Sequence, residues 1–350
     1  MKKKRIPLIV GIAVVALLLV WIIVSLATSS GLPNLLIRNA TAFDKDIPDP
    51  GFEGTSYEHI QYAEESDAEY LDLYVPDAEE AMPLLILVHG GGFVENDSQS
   101  RQAVLMYQYM RANGYAVATI NYRLAQEDTF PAALNDVKAA VRYLRANAEE
   151  YGYDPDRFAI WGESAGGYLA CMAALTGDDL YADVPYIGED ATQPVSGEVS
   201  ALIDFYGILD FDTSISDFED CGVPRWLTSL MGMADVDSED SVITQFLGAN
   251  IATYTQEQLN AISPTYFAAN LENQNLKVYI EHGSVDITVP RVQSERLYET
   301  LRDVLGDSSV TYREMKNFKH ADDKFYMPEN LEPVKEFLDQ TFGVESGGEQ

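Results

Sequence analysis

The sequence predicts an α/β fold: a mostly parallel, eight-stranded sheet with helices on both faces, preceded by an N-terminal transmembrane helix. Three observations carry that reading. Pro83-Leu-Leu-Ile-Leu-Val88 is a continuous apolar run, as expected of a strand buried on both faces. Such runs alternate with segments of helical period, which specifies a parallel sheet covered on both sides. Ile6–Ala27 is an uncharged, apolar run of 22 residues. At about 1.5 Å per residue it reaches across a hydrocarbon core of about 30 Å.

The elements follow in order. Met1-Lys-Lys-Lys-Arg5 precedes the apolar run, and by the positive-inside rule this cluster stays in the cytoplasm. Residues 1–30 are therefore read as a basic cluster and signal anchor, with the following domain outside the membrane. Secretion after signal cleavage is the alternative. Residues 31–55, with Pro33, Pro48 and Pro50, form a linker. Glu58–Ala63 and Glu69–Tyr74 look like an opening hairpin. Pro83–Val88 is the first buried strand, Ser98–Asn113 a helix stopped near Gly114, and Tyr115–Tyr122 the next strand. Pro131–Glu149 is a helix, with Leu134, Val137, Val141 and Leu144 on one face. Asp154-Pro155-Asp156 makes a turn. Arg157–Trp161 is a strand and Ala165–Thr176 the helix after it. Ala201–Tyr206, Lys277–Glu281 and Val310–Met315 complete the sheet. Residues 208–262 break the rhythm and read as a helical cap insertion over the site. Residues 56–342 thus make one catalytic domain, and 343–350 form a disordered tail.

The 350 residues carry 23 basic and 56 acidic side chains, a net charge of −33. A surface this acidic repels nucleic acid and anionic lipid, so neither is an expected partner. Two cysteines, Cys171 and Cys221, make neither a disulfide framework nor a zinc pattern. Cys171 is expected to be a buried free thiol, with a Cys171–Cys221 bridge open if the domain is exported. No metal constellation or phosphate loop is present in the sequence, so no metal and no cofactor is expected. The sequence leaves the oligomeric state open.

The chemistry concentrates in two motifs. Gly162-Glu163-Ser164-Ala165-Gly166 is a nucleophile elbow, in which a serine sits at a sharp strand-to-helix turn. His89-Gly90-Gly91-Gly92 ends an earlier strand and supplies backbone amides for an oxyanion hole. Together they point to serine-dependent acyl transfer. A serine needs a base and a carboxylate that orients the base. In this fold class those partners follow the nucleophile in the order acid, then histidine. Of His59, His89, His282 and His320, only the last two follow Ser164. His320 lies after the last strand and is the expected base. His282 suits a supporting role. Asp286, after the preceding strand, is the expected acid. Asp322 and Asp323 lie too near His320 in sequence to orient it, and shape its loop instead. Gly90, Gly91 and Ala165 are the expected oxyanion donors, with His89 bracing their loop.

His89-Gly-Gly-Gly-Phe93, Gly162-Glu-Ser-Ala-Gly-Gly167, His282-Gly-Ser-Val-Asp286 with Val289-Pro290, and the late His320 resemble the α/β-hydrolase carboxylesterases of the hormone-sensitive-lipase-like group. Within it the chain is similar to bacterial feruloyl/acetyl-xylan-type esterases. Asn121-Tyr-Arg-Leu124 and Phe130-Pro-Ala-Ala133 with Asp136-Val137 add to the likeness, which covers roughly residues 55–340. The resemblance implies a Ser164–His320–Asp286 triad, an acyl-enzyme, and a small-molecule or carbohydrate ester substrate with a short acyl group. An arylformamidase, another amidase or a peptidase would use the same triad. A non-catalytic binding module is the reading from a different class. The anchor and the insertion 208–262 depart from the group, so its acyl and alcohol pockets do not carry over.

Overall fold

The computed structural model describes residues 51–178, 180–222, 238 and 241–344. The expected anchor, most of the linker and the tail from 345 lie outside the described residues. Among the described residues no helix is long and apolar enough to cross a membrane.

Eight strands form one sheet: β1 (Gly54–Gln61), β2 (Tyr70–Pro76), β3 (Met82–Val88), β4 (Ala116–Ile120), β5 (Tyr153–Glu163), β6 (Ala201–Phe205), β7 (Lys277–Gly283) and β8 (Val310–Met315). Their spatial order is β1-β2-β4-β3-β5-β6-β7-β8. β2 pairs antiparallel with both β1 and β4, and every other pairing is parallel. β3 and β5 lie side by side at the centre, and every residue of β3 is buried. The two motifs therefore leave the sheet from adjacent strands at the same edge, the carboxyl edge, where open α/β sheets place their ligands.

Helices cover both faces. One face carries α2 (Ala132–Ala146), α3 (Ala148–Tyr151) and α4 (Ala165–Leu175), with α9 (Val292–Leu305) towards β7 and β8. The other carries α1 (Arg101–Arg111) and α10 (Pro328–Phe342). Among the described residues between β6 and β7 stand the short helices α5 (Ser214–Asp220), α6 (Val242–Leu247), α7 (Gln256–Ala261) and α8 (Pro264–Ala269). Leu134, Val137, Val141 and Leu144 all join the core, as their spacing predicts, within a helix that is buried at every position from Ala132 to Leu144.

Several boundaries differ from expectation. β1 starts at Gly54, inside the expected linker, because Gly54–Tyr57 pair with Leu73–Pro76. The segment Asp154-Pro155-Asp156 lies within β5 rather than in a separate turn. Tyr153 pairs with Met82 while Phe158 pairs with Leu84, so the intervening residues bulge out of the ladder. The bulge still contains the local turn bond, from the Asp156 amide to the Asp154 side chain at 2.9 Å. The helix expected over 131–149 divides at Asn147, whose side chain turns back to the Tyr143 carbonyl. Cys171 is buried and Cys221 half-buried, and both are free thiols.

Candidate active site

β5 delivers Ser164 into α4 through a strained turn. Ser164 has φ +52° and ψ −119°, a region costly for a residue with a side chain. The strain is fixed from both sides: its amide donates to the Phe205 carbonyl at 2.9 Å, and its carbonyl accepts the Tyr168 amide at 3.2 Å. Gly162 permits the bend, since a Cβ there would lie 2.0 Å from the Gly166 carbonyl oxygen.

His320 stands on the loop after β8. Its Nε2 is 3.0 Å from Ser164 Oγ, and its Nδ1 is 2.7 Å from Asp286 Oδ2. Asp286 follows β7 and is buried. Its Oδ1 accepts the Thr288 and Val289 amides at 2.7 and 2.9 Å. Burial alone would raise the pKa of this carboxyl. The His320 and His282 rings beside it outweigh burial and hold it well below the usual carboxylate range. The three residues expected to act together are thus joined from three loops on one sheet edge.

The supporting residues also find their places. His282 is fully buried, with Nδ1 2.8 Å from Ser294 Oγ and Nε2 3.1 Å from the Val289 carbonyl. Asp322 accepts the Lys319 and Lys324 amides and so shapes the loop that carries His320. His89 braces the glycine strap. Its Nδ1 donates to the Gly90 carbonyl at 2.7 Å, and its ring stacks on Tyr122 at 4.4 Å. The Tyr122 hydroxyl donates to the His89 carbonyl at 2.7 Å. Burial lowers the His89 pKa to about 4, which keeps the ring neutral and out of proton transfer at neutral pH.

The strap lies against the nucleophile: a Cβ on Gly90 would stand 3.3 Å from Ser164 Cβ. The Ala165 amide opens α4, where free N–H groups and the helix dipole favour an anion. Burial raises the pKa of Glu163, and a hydrogen bond from the Gly90 amide opposes that rise, so this N–H has an acceptor besides any oxyanion. Beyond the strap, Phe93 stacks on Phe246 of α6 at 3.8 Å, and Phe211 and Tyr168 close the cluster. Val242 of α6 lies over Gly92 and is 42% exposed. Val285 and Ile287, on either side of Asp286, are also exposed. Ser164, His320 and Asp286 therefore sit beside an apolar rim.

Sequence reasoning passed over Glu163 itself. Its buried carboxylate takes hydrogen bonds from Tyr206 and Tyr326, and Tyr206 packs against His320. No motif signals that cluster. Among the described residues, no group of three or more His, Cys, Asp or Glu side chains could hold a metal ion.

The family model BD-FAE matches residues 71–301. The chain is similar to the probable carboxylic ester hydrolase LipM of Mycobacterium tuberculosis, at 29% identity over 83% of this chain and 62% of LipM. It is similar to esterase LipQ of the same organism, at 29% identity over 76% of this chain and 57% of LipQ. The chain thus spans about 60% of the length of these two curated relatives. Among solved structures, a truncated carbohydrate esterase from gut microbiota superposes with a TM-score of 0.67, at 23% identity over 84% of this chain and 98% of that one. An acetyl ester-xyloside bifunctional hydrolase from Caldicellulosiruptor lactoaceticus gives 0.60, at 18% identity over 84% and 98%. These likenesses establish an α/β-hydrolase-like fold with an eight-stranded, mostly parallel sheet. With the family match extending from β2 into α9, the chain belongs to the BD-FAE family.

Proposed function

We propose that this chain is a carboxylic ester hydrolase acting through a Ser164–His320–Asp286 triad and an acyl-enzyme, with short acyl groups preferred. The observation that carries the reading is the line of contacts from Ser164 Oγ to His320 Nε2 at 3.0 Å and from His320 Nδ1 to Asp286 at 2.7 Å. In the first half-reaction Ser164 Oγ attacks the ester carbonyl and its proton passes to His320 Nε2. Asp286 keeps Nδ1 protonated and stabilises the imidazolium. The Ala165 and Gly91 amides, with Gly90, hold the oxyanion. The tetrahedral intermediate expels the alcohol, which takes the proton from Nε2. Water then attacks the acyl-enzyme as His320 accepts its proton; the Ser164 Oγ–acyl bond breaks, Oγ takes the proton back from Nε2, and the acid leaves. Names of relatives such as LipM and LipQ support ester hydrolysis. The carbohydrate esterase fold and the resemblance to acetyl-xylan-type esterases support an acetylated carbohydrate as substrate. The apolar run Ile6–Ala27 after Lys2, Lys3, Lys4 and Arg5 supports a membrane tether with the domain outside the cytoplasm.

The test compares the full chain with Ser164→Ala on p-nitrophenyl acetate, butyrate and octanoate and on a matched anilide. Acetate turnover that falls by at least about 10³-fold in the variant is expected. A preference for octanoate overturns the short-acyl assignment, and turnover of the anilide alone overturns the esterase assignment. Equal inactivity of both proteins leaves the fold without this chemistry. Resistance of the full chain to carbonate extraction of membranes, with residues 31–350 released, tests the tether.

A further inference from the structure

Glu163 closes β5 immediately before the nucleophile. It is 4% exposed, on the face opposite to α4. Its Oε2 accepts the Tyr206 hydroxyl at 2.7 Å and also the Tyr326 hydroxyl, and the two hydroxyls touch each other. The donors come from separate places in the chain. Tyr206 is the first residue after β6, held at φ +44° with its amide on the Glu281 carbonyl at 2.8 Å. Tyr326 ends the short 3₁₀ turn Asp323–Tyr326, just beyond the His320 loop. The Tyr206 ring then meets His320 edge to face, with centroids 4.8 Å apart and planes at 65°. Phe325 backs Tyr206 at 4.9 Å.

The proposed mechanism uses neither Glu163 nor its tyrosine partners. A purely structural tie between strand ends is better made from apolar or neutral side chains, because burying a carboxylate is costly. Burial pushes the Glu163 carboxyl up, while the Tyr326 and Tyr206 hydroxyls, His320 and the Gly90 amide favour its ionised form; both tyrosines are themselves held neutral as donors, since burial raises their pKa values. We propose that Glu163, held by Tyr206 and Tyr326, is a positioning residue for His320: its charge favours the imidazolium formed when Ser164 gives up its proton, and Tyr206 fixes the ring. The assignment rests on the esterase reading above and adds a second carboxylate to it. Asp286 grips one edge of the imidazole, while Glu163 acts on it through the ring of Tyr206.

The groups around this unit are few. His320 is faced by Ser164 from the elbow, Asp286 from the loop after β7, and Tyr206 from the loop after β6. Glu163 is faced by Tyr206, Tyr326, the Gly90 amide and, electrostatically, His320. Its charge also reaches Tyr122 at the end of β4. His282 acts on the unit only through Asp286. Asp323 acts on Tyr326, and Asp286 is the carboxylate at Nδ1 of His320, so replacing Glu163 removes the charge that reaches the ring from the Tyr206 side.

The test is the pH profile of p-nitrophenyl acetate hydrolysis for the full chain and Glu163→Gln. Without the carboxylate the imidazolium is disfavoured, so His320 remains a neutral base to lower pH. The acid limb of kcat/KM is expected to move down by roughly 0.5 pH units or more, with kcat lowered about tenfold and KM within about twofold. Glu163→Asp is expected to return the limb towards the wild-type position. An unmoved limb in Glu163→Gln overturns the proposal. Tyr206→Phe keeps the ring against His320 and removes one donor, so Glu163 takes up a proton more readily. Its kcat deficit is expected to narrow as pH rises, and a pH-independent deficit also overturns the proposal. Tyr206→Phe carries the test alone if Glu163→Gln does not fold. Wild-type turnover that is lost in Ser164→Ala separates this question from the esterase reading. Absence of such turnover overturns both.

Discussion

His282 and His320 converge on one oxygen: Asp286 Oδ2 lies 2.7 Å from His320 Nδ1 and 3.4 Å from His282 Nε2. His282 is fully buried, and its ring is fixed by Ser294 and by the Val289 carbonyl. Asp286 is therefore held from behind while it orients the proposed base. His282→Ala removes that support and leaves a cavity in a closed site. We expect kcat to fall roughly tenfold with KM little changed, since the loss concerns orientation of the base rather than substrate contacts. We expect a stability loss of about 2–4 kcal/mol from the cavity and the orphaned Ser294 hydroxyl. Steady-state kinetics and urea unfolding measure the two effects separately.

Asp286→Asn keeps the oxygen that accepts the Thr288 and Val289 amides, so the loop should persist. It loses the charge that holds Nδ1 protonated. A kcat decrease of roughly 10³–10⁴-fold is expected, as when a triad base is left in the wrong tautomer, together with a lowered melting temperature at pH 7, where the ionised carboxylate contributes stability that the amide lacks. The folded-state pKa of Asp286 lies below its unfolded value. Its contribution to stability is therefore present above about pH 4 and is lost as the pH falls below that. The variant should show a shallower acid limb of stability than the wild type. Circular dichroism melts between pH 3 and 7 test this.

How much of this was legible in the sequence follows from the range of the interactions. Gly162, Ser164 and Gly166 are dictated by one sharp turn, and His89–Gly92 by one strand end, so a local motif suffices to find them. Asp286 and His320 were found because each lies just after a strand reaching the same sheet edge. Glu163, Tyr206 and Tyr326 were missed because their contacts span up to 163 positions and have no periodicity. The β5 bulge was misread because its turn chemistry is real but is absorbed by the ladder on either side. The role of Asp204 was equally hidden: a lone acid in an apolar run reads as strand alternation until its burial is seen.

Asp204 is fully buried on β6. Its Oδ1 accepts the Gly207 amide at 3.0 Å, and its Oδ2 has no hydrogen-bond partner among the described residues. Burial raises its pKa to about 7, against the smaller opposing effects of His282 and the Gly207 amide. Glu281 is likewise raised to about 7, by burial, and so is Glu69, by burial and by Asp136 beside it. In each case the native state binds a proton that the unfolded chain releases. The stability they contribute is complete below the unfolded values near pH 4 and is lost as pH rises to about 7. The wild-type melting temperature should therefore fall between pH 5 and pH 8. Asp204→Asn retains an acceptor for Gly207 and cannot ionise, so it should lose less over that interval, by roughly 2–4 °C. A wild type as stable at pH 8 as at pH 5, or a variant that falls equally, would count against the neutral form of Asp204.

Arg296 of α9 clamps the start of the region between β6 and β7. Its guanidinium reaches Asp210 at 2.9 Å and Asp217 of α5 at 2.5 Å. Both carboxylates are buried and share further donors: Ser263 and Thr265 on Asp210, and Thr213 and Gln293 on Asp217. The arginine side chain is 33% exposed, so its own charge is partly screened. Removing it nevertheless leaves two buried acids facing each other with no cation. Arg296→Ala should destabilise the protein by about 3 kcal/mol, near the lower end for breaking a buried pair. Arg296→Lys should recover only part of this, because one ammonium cannot grip both carboxylates as the planar guanidinium does. Since Asp210 and α5 lie between β6 and α6, loosening them should also disturb Phe246 on Phe93 and Val242 over the glycine strap. A raised KM with a smaller change in kcat is then expected. If urea unfolding showed Arg296→Ala within about 0.5 kcal/mol of wild type, Asp210 and Asp217 would have to be stabilised by the neutral donors alone.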